Sequence, residues 1–140
     1  MANSILEVMS KSHIKLNEEF TELIENQNED YLVVKRIFDR FLNDLKIHFY
    51  TEEQSIFSFF YPKDKEKFNV IPRIVSQHAE ILKLMEKLGN SLDNLESFNF
   101  TELKDLLNEH IVLENTSLYA ELDKELSEGE KEFILEKISK

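Results

Sequence analysis

Apolar residues in this chain recur at alternating steps of three and four, the spacing that places them on one face of an α-helix. The first stripe is Leu6, Met9, His13, Leu16, Phe20 and Leu23. Ser4, with Glu7 three residues on, forms a capping-box pattern that opens this helix A, and the polar stretch Glu25 to Asp30 ends it. Helix B carries Val34, Phe38, Phe41, Leu45, His48, Glu52 and Ile56. It is predicted to stop near Tyr61-Pro62, because proline pushes the preceding residue out of helical geometry. Lys63 through Asn69 read as a charged connector. Pro72 suits the first turn of helix C, whose stripe is Ile74, His78, Ile81, Met85, Leu88 and Leu92. Gly89-Asn90 weakens the C-terminal part of that helix. Helix D is predicted to start after Asn99 or Thr101 and to run through Leu103, Leu107, His110, Glu114 and Leu118. Ser127 with Glu130 is another capping box, expected to begin a short fifth helix that packs Phe133, Ile134 and Ile138 on the rest.

Stripes that step by threes and fours suit helices crossing at about 20° in a left-handed bundle. The connectors are short, so neighbouring helices are expected to be antiparallel. The predicted fold is all-α: an up-down-up-down four-helix bundle with a short C-terminal fifth helix, one domain over residues 1–140. Two glycines and two prolines leave little room for the tight turns of a sheet-rich fold.

Charge and composition narrow the partners. The net charge of −11 repels phosphate backbones and anionic lipid, so neither nucleic acid nor a membrane surface is an expected partner. The chain has no cysteine, hence no disulfide, thiolate ligand or thiol nucleophile. No apolar run approaches the roughly 18 residues of a membrane span. The first residues, Met-Ala-Asn-Ser-Ile-Leu-Glu, lack the basic and apolar regions of a signal peptide, so the expected location is cytoplasmic.

The chemistry lies in polar residues on apolar stripes. All four histidines, His13, His48, His78 and His110, stand where a helix would bury a leucine, one per helix. If about 2–3 of every 7 helical positions face the core, four histidines land there by chance about once in 30 to 150 tries. Two of them carry a glutamate one turn later: His48 with Glu52, and His110 with Glu114. A buried carboxylate must be paired, hydrogen-bonded or bound to metal, and no lysine or arginine occupies these stripes. A cation is the simplest partner. Four imidazoles and two carboxylates exceed the needs of one tetrahedral zinc, and calcium or magnesium does not use histidine. Mixed imidazole and carboxylate ligands suit iron or manganese, and a dinuclear iron centre fits them best.

The order His13, His48-x-x-x-Glu52, His78, His110-x-x-x-Glu114 resembles the hemerythrin-like (HHE cation-binding) family. The run from His48 to Glu53 ending at Tyr61-Pro62, Gln77-His78-Ala-Glu-Ile-Leu, and Glu109-His110-Ile-Val-Leu-Glu114 carry the match over nearly the whole chain. The resemblance implies two non-haem iron ions, oxo- or hydroxo-bridged, inside a four-helix bundle, with Glu52 and Glu114 as bridging carboxylates. The expected function is to bind dioxygen or a related small diatomic ligand for storage, delivery or sensing, a metal- and oxygen-binding role ahead of an enzymatic one, which stays open. Two departures matter. Ile74 stands where oxygen-carrying members place a further histidine, and the helix D carboxylate comes four residues after His110, with Asn115 at five. This set is closer to the branch that resembles repair-of-iron-centres proteins, so a redox or stress role toward nitric oxide, peroxide or damaged iron centres is the alternative. A structural bundle with vestigial ligands is the third.

Other residues are weighed against plain packing. Glu53, Glu80 and Glu109 are expected on the surface and Tyr50 at the edge of the core. Asn17, one turn past His13, is a candidate hydrogen-bond partner of that ring. Tyr119 is a candidate to line the pocket, and Phe41, Phe49 and Phe59 are candidates to keep it dry.

Overall fold

The structure, a computed structural model, describes residues 4–57 and 69–138. Among them the chain forms α1 (Ile5–Glu25), α2 (Tyr31–Glu52), α3 (Val70–Asp93), α4 (Thr101–Glu114), α5 (Ala120–Glu125) and α6 (Glu128–Ile138), and no strand. Two π-helical turns extend this set: Glu53–Phe57 prolongs α2, and Asn115–Tyr119 joins α4 to α5 without a break. The arms pack in chain order, α1 on α2, α2 on α3, α3 on α4. The π turn after α4 and α5 return to α1 and close the ring. This is the expected all-α bundle, with α6 laid across α1 and the π turn after α2. The predicted stop at Tyr61-Pro62, most of the connector from Lys63 and the ring of Phe59 lie outside the described residues.

The helix ends follow local chemistry. Ser4 Oγ accepts from the Glu7 amide at 3.0 Å, as its capping position predicts. A second cap comes from far along the chain: Asp123 on α5 accepts from the amides of Ile5 and Leu6 at 2.8 and 3.0 Å. That carboxylate ties the start of α1 to the end of the bundle. Asn99 Oδ1 accepts from the Thr101 amide at 2.7 Å where α4 begins. The Ser127–Glu130 box forms both of its bonds, at 3.0 and 3.2 Å. Helix α3 runs through Gly89-Asn90 to Asp93. The glycine belongs there because α2 comes close: a Cβ on Gly89 would stand 3.2 Å from Phe38 Cε1.

The buried residues form two apolar clusters. One gathers Leu16, Phe20, Phe41, Leu45, Phe49, Ile81, Met85, Leu103 and Leu107, among others. The second holds Ile5, Met9, Ile56, Phe57, Ile71, Ile74, Leu118, Tyr119, Leu122 and Ile134. Each fully buried large apolar side chain contributes about 1.5–3 kcal/mol, so these clusters dominate the folding energy. The predicted stripes of helices B, C and D are buried in full. On α1 the stripe starts at Ile5 rather than Leu6, which is only partly buried. Glu19, absent from the predicted stripe, is buried as well. On α6 Ile134 is buried as expected, whereas Phe133 is exposed beneath the Lys137 ammonium. Tyr50 is exposed rather than at the core edge.

Candidate metal centre

Polar side chains from α1, α2, α3 and α4 converge inside the bundle. His13, His48, Glu52, His78, His110 and Glu114 are all buried, and both carboxylates are fully so. Helical geometry explains the convergence: His and Glu one turn apart share a face. Their contacts are 3.2 Å for His48–Glu52 and 3.2 Å for His110–Glu114.

Glu114 spans the cluster. Its Oε1 lies 2.9 Å from His13 Nε2 and 3.8 Å from His48 Nε2. Its Oε2 lies 3.4 Å from His78 Nε2 and 3.2 Å from His110 Nε2. Glu52 Oε1 stands between His48 and His78, at 3.2 and 3.3 Å. Two overlapping groups able to hold a metal ion result, one of Glu52, His78, His110 and Glu114, the other of His13, His48 and Glu114.

Every imidazole turns Nε2 inward and Nδ1 outward, and each outer nitrogen meets a polar neighbour. Asn115 Oδ1 accepts from His13 Nδ1 at 3.1 Å, and Gln77 Oε1 accepts from His110 Nδ1 at 2.8 Å. Ser12 Oγ pairs with His48 Nδ1 at 2.7 Å. Glu53 Oε2 stands 3.6 Å from His78 Nδ1, an ion-pair distance. Such outer partners fix the ring tautomer of metal ligands. The pattern is reciprocal. Ser12 and Gln77 immediately precede the α1 and α3 histidines, and each serves the histidine of the following helix. Glu53 and Asn115 immediately follow the two carboxylates, open the two π turns, and each serves a histidine of the other helix pair.

These hydrogen bonds expose the chemical deficit of the cluster. A neutral His13 or His110 spends its one N–H on an amide oxygen, so its inner nitrogen carries a bare lone pair. That lone pair faces a carboxylate oxygen at 2.9 Å for His13 and 3.2 Å for His110. Only a proton or a cation between them relieves the repulsion. His48 Nε2, His110 Nε2 and both Glu52 oxygens also have no hydrogen-bond partner, and neither has His78 Nδ1, whose contact with Glu53 is electrostatic only. Burial lowers the pKa of His48 and favours its neutral, ligating form. Burial pushes Glu52 well above the ordinary carboxylate range, and the neighbouring Glu114 charge adds to this. Burial opposes the Glu114 carboxylate too, but the surrounding Glu52, His110, His13 and His48 side chains, any of which can bring a proton to it, outweigh that cost and hold the group well below its ordinary value. The donor set therefore fits metal ions: neutral imidazoles and carboxylates with inner lone pairs converging on shared space.

Aromatic and apolar walls surround the cluster. Phe49 stacks on His78, and Phe57 lies parallel to the same ring at 5.9 Å. Tyr119, fully buried, has its ring centroid 5.8 Å from that of His13. A narrow pocket lined by Leu16, Phe41, Leu45, Phe49 and Leu107 touches His13, His48 and His110. A separate cavity of about 180 Å³ between α1 and α2 reaches Ser12 and His48.

All six residues expected from the sequence meet here. The expected partner of His13 does not: Asn17 is exposed, and Asn115 takes that place. Glu53, expected on the surface, stands behind His78 instead, while Glu109 is exposed as expected, its nearest cation being Arg73 at 3.7 Å. The sequence alone does not single out Ser12, and Gln77 enters there only as part of the His78 motif, without a role; their positions beside His13 and His78 are the available signal. No helix among the described residues is long and apolar enough to cross a membrane.

Comparison with known proteins gives one result. The hemerythrin HHE cation binding domain matches residues 4–122. No curated protein and no solved structure matches the chain.

Proposed function

Because the chain belongs to the hemerythrin HHE cation-binding family, we propose that it holds two iron ions in this cluster and binds dioxygen or a related small diatomic ligand there, for storage, delivery or sensing. The observation that carries the proposal is Glu114, whose two oxygens each face a different pair of imidazoles. A carboxylate so placed can bridge two ions and screen their repulsion. When bound, the iron pair supplies reversible electron transfer to the ligand. The protein supplies the rest. His13 and His48 would hold one ion and His78 and His110 the other, with Glu52 and Glu114 between them. Ser12, Gln77, Glu53 and Asn115 aim the inner nitrogens. Leu16, Phe41, Leu45, Phe49 and Leu107 line a narrow apolar pocket against three of the imidazoles and keep bulk water from them. The cytoplasm is the proposed setting.

The test is iron analysis of protein purified in air, with visible spectra through cycles of reduction and reoxygenation. A stoichiometric iron content and a colour that returns with oxygen support the reading. A colour that never returns defeats the oxygen-binding part, and iron-free protein after iron-replete expression defeats the whole.

One observation favours a second reading. Ile74 is fully buried in an apolar cluster and offers no ligand, so the α3 side has one imidazole fewer than oxygen carriers have. An additional open position suits turnover of nitric oxide or peroxide, or service to damaged iron centres. Catalytic consumption of nitric oxide or peroxide by the reduced protein under anaerobic conditions would decide for it; stoichiometric binding without turnover would decide against.

A further inference from the structure

The two halves of the cluster differ in grip. Around His78 and His110, four ligand atoms lie within 4.8 Å of one another; around His13 and His48 the group has three. His78 also packs against the rings of Phe49, at 3.9 Å, and Phe57, at 5.9 Å. Behind it stands a carboxylate, Glu53, 3.6 Å from Nδ1, whose negative charge favours a cation on the inner side of the ring. The equivalent place behind His13 is taken by the neutral amide of Asn115, and behind His48 by the neutral hydroxyl of Ser12.

The halves also differ in access. The cavity of about 180 Å³ has Ser12 and His48 in its lining, with Lys15, Asp44 and Thr51 as further polar walls. At about 30 Å³ per molecule it has room for several waters, and its polar groups can hydrogen-bond them.

We infer that the two ion positions are a resident and an exchangeable one. The position at α3 and α4 keeps its ion. The position at α1 and α2 loads and releases its ion through the Ser12–His48 cavity, past the Asp44 carboxylate. Exchange there would be ligand substitution without redox change: water entering by the cavity would take the places of His13, His48 and the shared Glu52 and Glu114 carboxylates on that ion, while both carboxylates would stay with the resident one. The inference rests on the two-iron reading above.

The experiment loads metal-free protein with iron(II) to saturation under anaerobic conditions, then adds excess ferrozine and follows iron release. The expected trace has two phases of equal size, with rates at least about tenfold apart. His13→Ala should delete the fast phase and leave the slow one. Thr51→Leu, which narrows the cavity, should slow the fast phase alone. Val8→Phe, from the α1 wall, is the second such variant should Thr51→Leu fold poorly. Glu53→Gln should speed the slow phase about tenfold. Release of all iron in a single phase overturns the inference while leaving the two-iron reading intact. So does loss of the fast phase in His110→Ala rather than in His13→Ala. A protein that takes up no iron overturns both.

Discussion

The ring of Phe49 lies flat on the imidazole of His78, with centroids 3.9 Å and planes 14° apart. Phe49 follows His48 in the chain yet braces ligands of the opposite helix pair, since its ring also meets His110 edge-on at 5.5 Å. Phe49→Leu keeps much of the volume and removes the stack. It should lower the stability of the metal-free protein by about 1 kcal/mol. The urea midpoint checks this, and an unchanged midpoint would show that the stack contributes nothing to folding.

Metal uptake should release protons. Burial keeps Glu52 protonated well above the ordinary 4.5, and a cation must displace that proton to use the carboxylate. Affinity for manganese(II) or iron(II) should therefore rise as pH climbs above 4.5. The raised pKa also means that the folded, metal-free protein binds more protons than the unfolded chain, so it loses stability as pH rises from 4.5 toward the folded value. Calorimetry in buffers of different ionisation enthalpy counts the released protons. Glu52→Gln should reduce both that count and the affinity.

Glu19 sets a second pH dependence, away from the cluster. Its carboxyl is raised from 4.5 to about 7, by burial first and by the neighbouring Asp44 next, with Lys15 and Arg40 opposing. A raised carboxyl pKa favours the protonated folded state, so stability falls as pH climbs from 4.5 to about 7 and stays reduced above that. Glu19→Gln mimics the protonated form. It should raise the melting temperature at pH 8 and leave it nearly unchanged at pH 4. Equal shifts at both pH values would contradict this.

Asp123 closes the bundle at its seam. Its two oxygens cap the Ile5 and Leu6 amides, which no other residue in the helix can satisfy. Asp123→Ala should cost about 1–2 kcal/mol, the usual loss for a missing cap. Chemical denaturation measures it, and Asp123→Asn, which keeps one acceptor, should recover part of the loss.

The helical stripes were legible because burial of one face imposes a period that the residues must obey. His13, His48, Glu52, His78, His110 and Glu114 were legible for the same reason, as polar groups on apolar stripes. Their outer partners were not. Glu53 and Asn115 sit one residue past a ligand, which in a regular α-helix points about 100° away. That direction leads not to solvent but to an imidazole of another helix, and only the packed bundle shows which ring lies there. Likewise Leu118 and Tyr119 are consecutive yet both buried. Gly89 weakened the reading of helix C, because only the packed structure shows Phe38 occupying the space a side chain would need. Phe133 followed the apolar pattern of α6, but that helix is short and packs with one edge, so Ile134 alone is fully buried.

The reciprocal service between helix pairs has a consequence for how the protein can be followed experimentally. Glu53 reaches across to His78, and Asn115 reaches back to His13, so neither hairpin can orient all of its imidazoles alone. Correct geometry at the centre thus certifies that both hairpins have docked. Any optical signal that depends on those four rings becomes an intrinsic gauge of native tertiary assembly, readable without a fluorophore or a label.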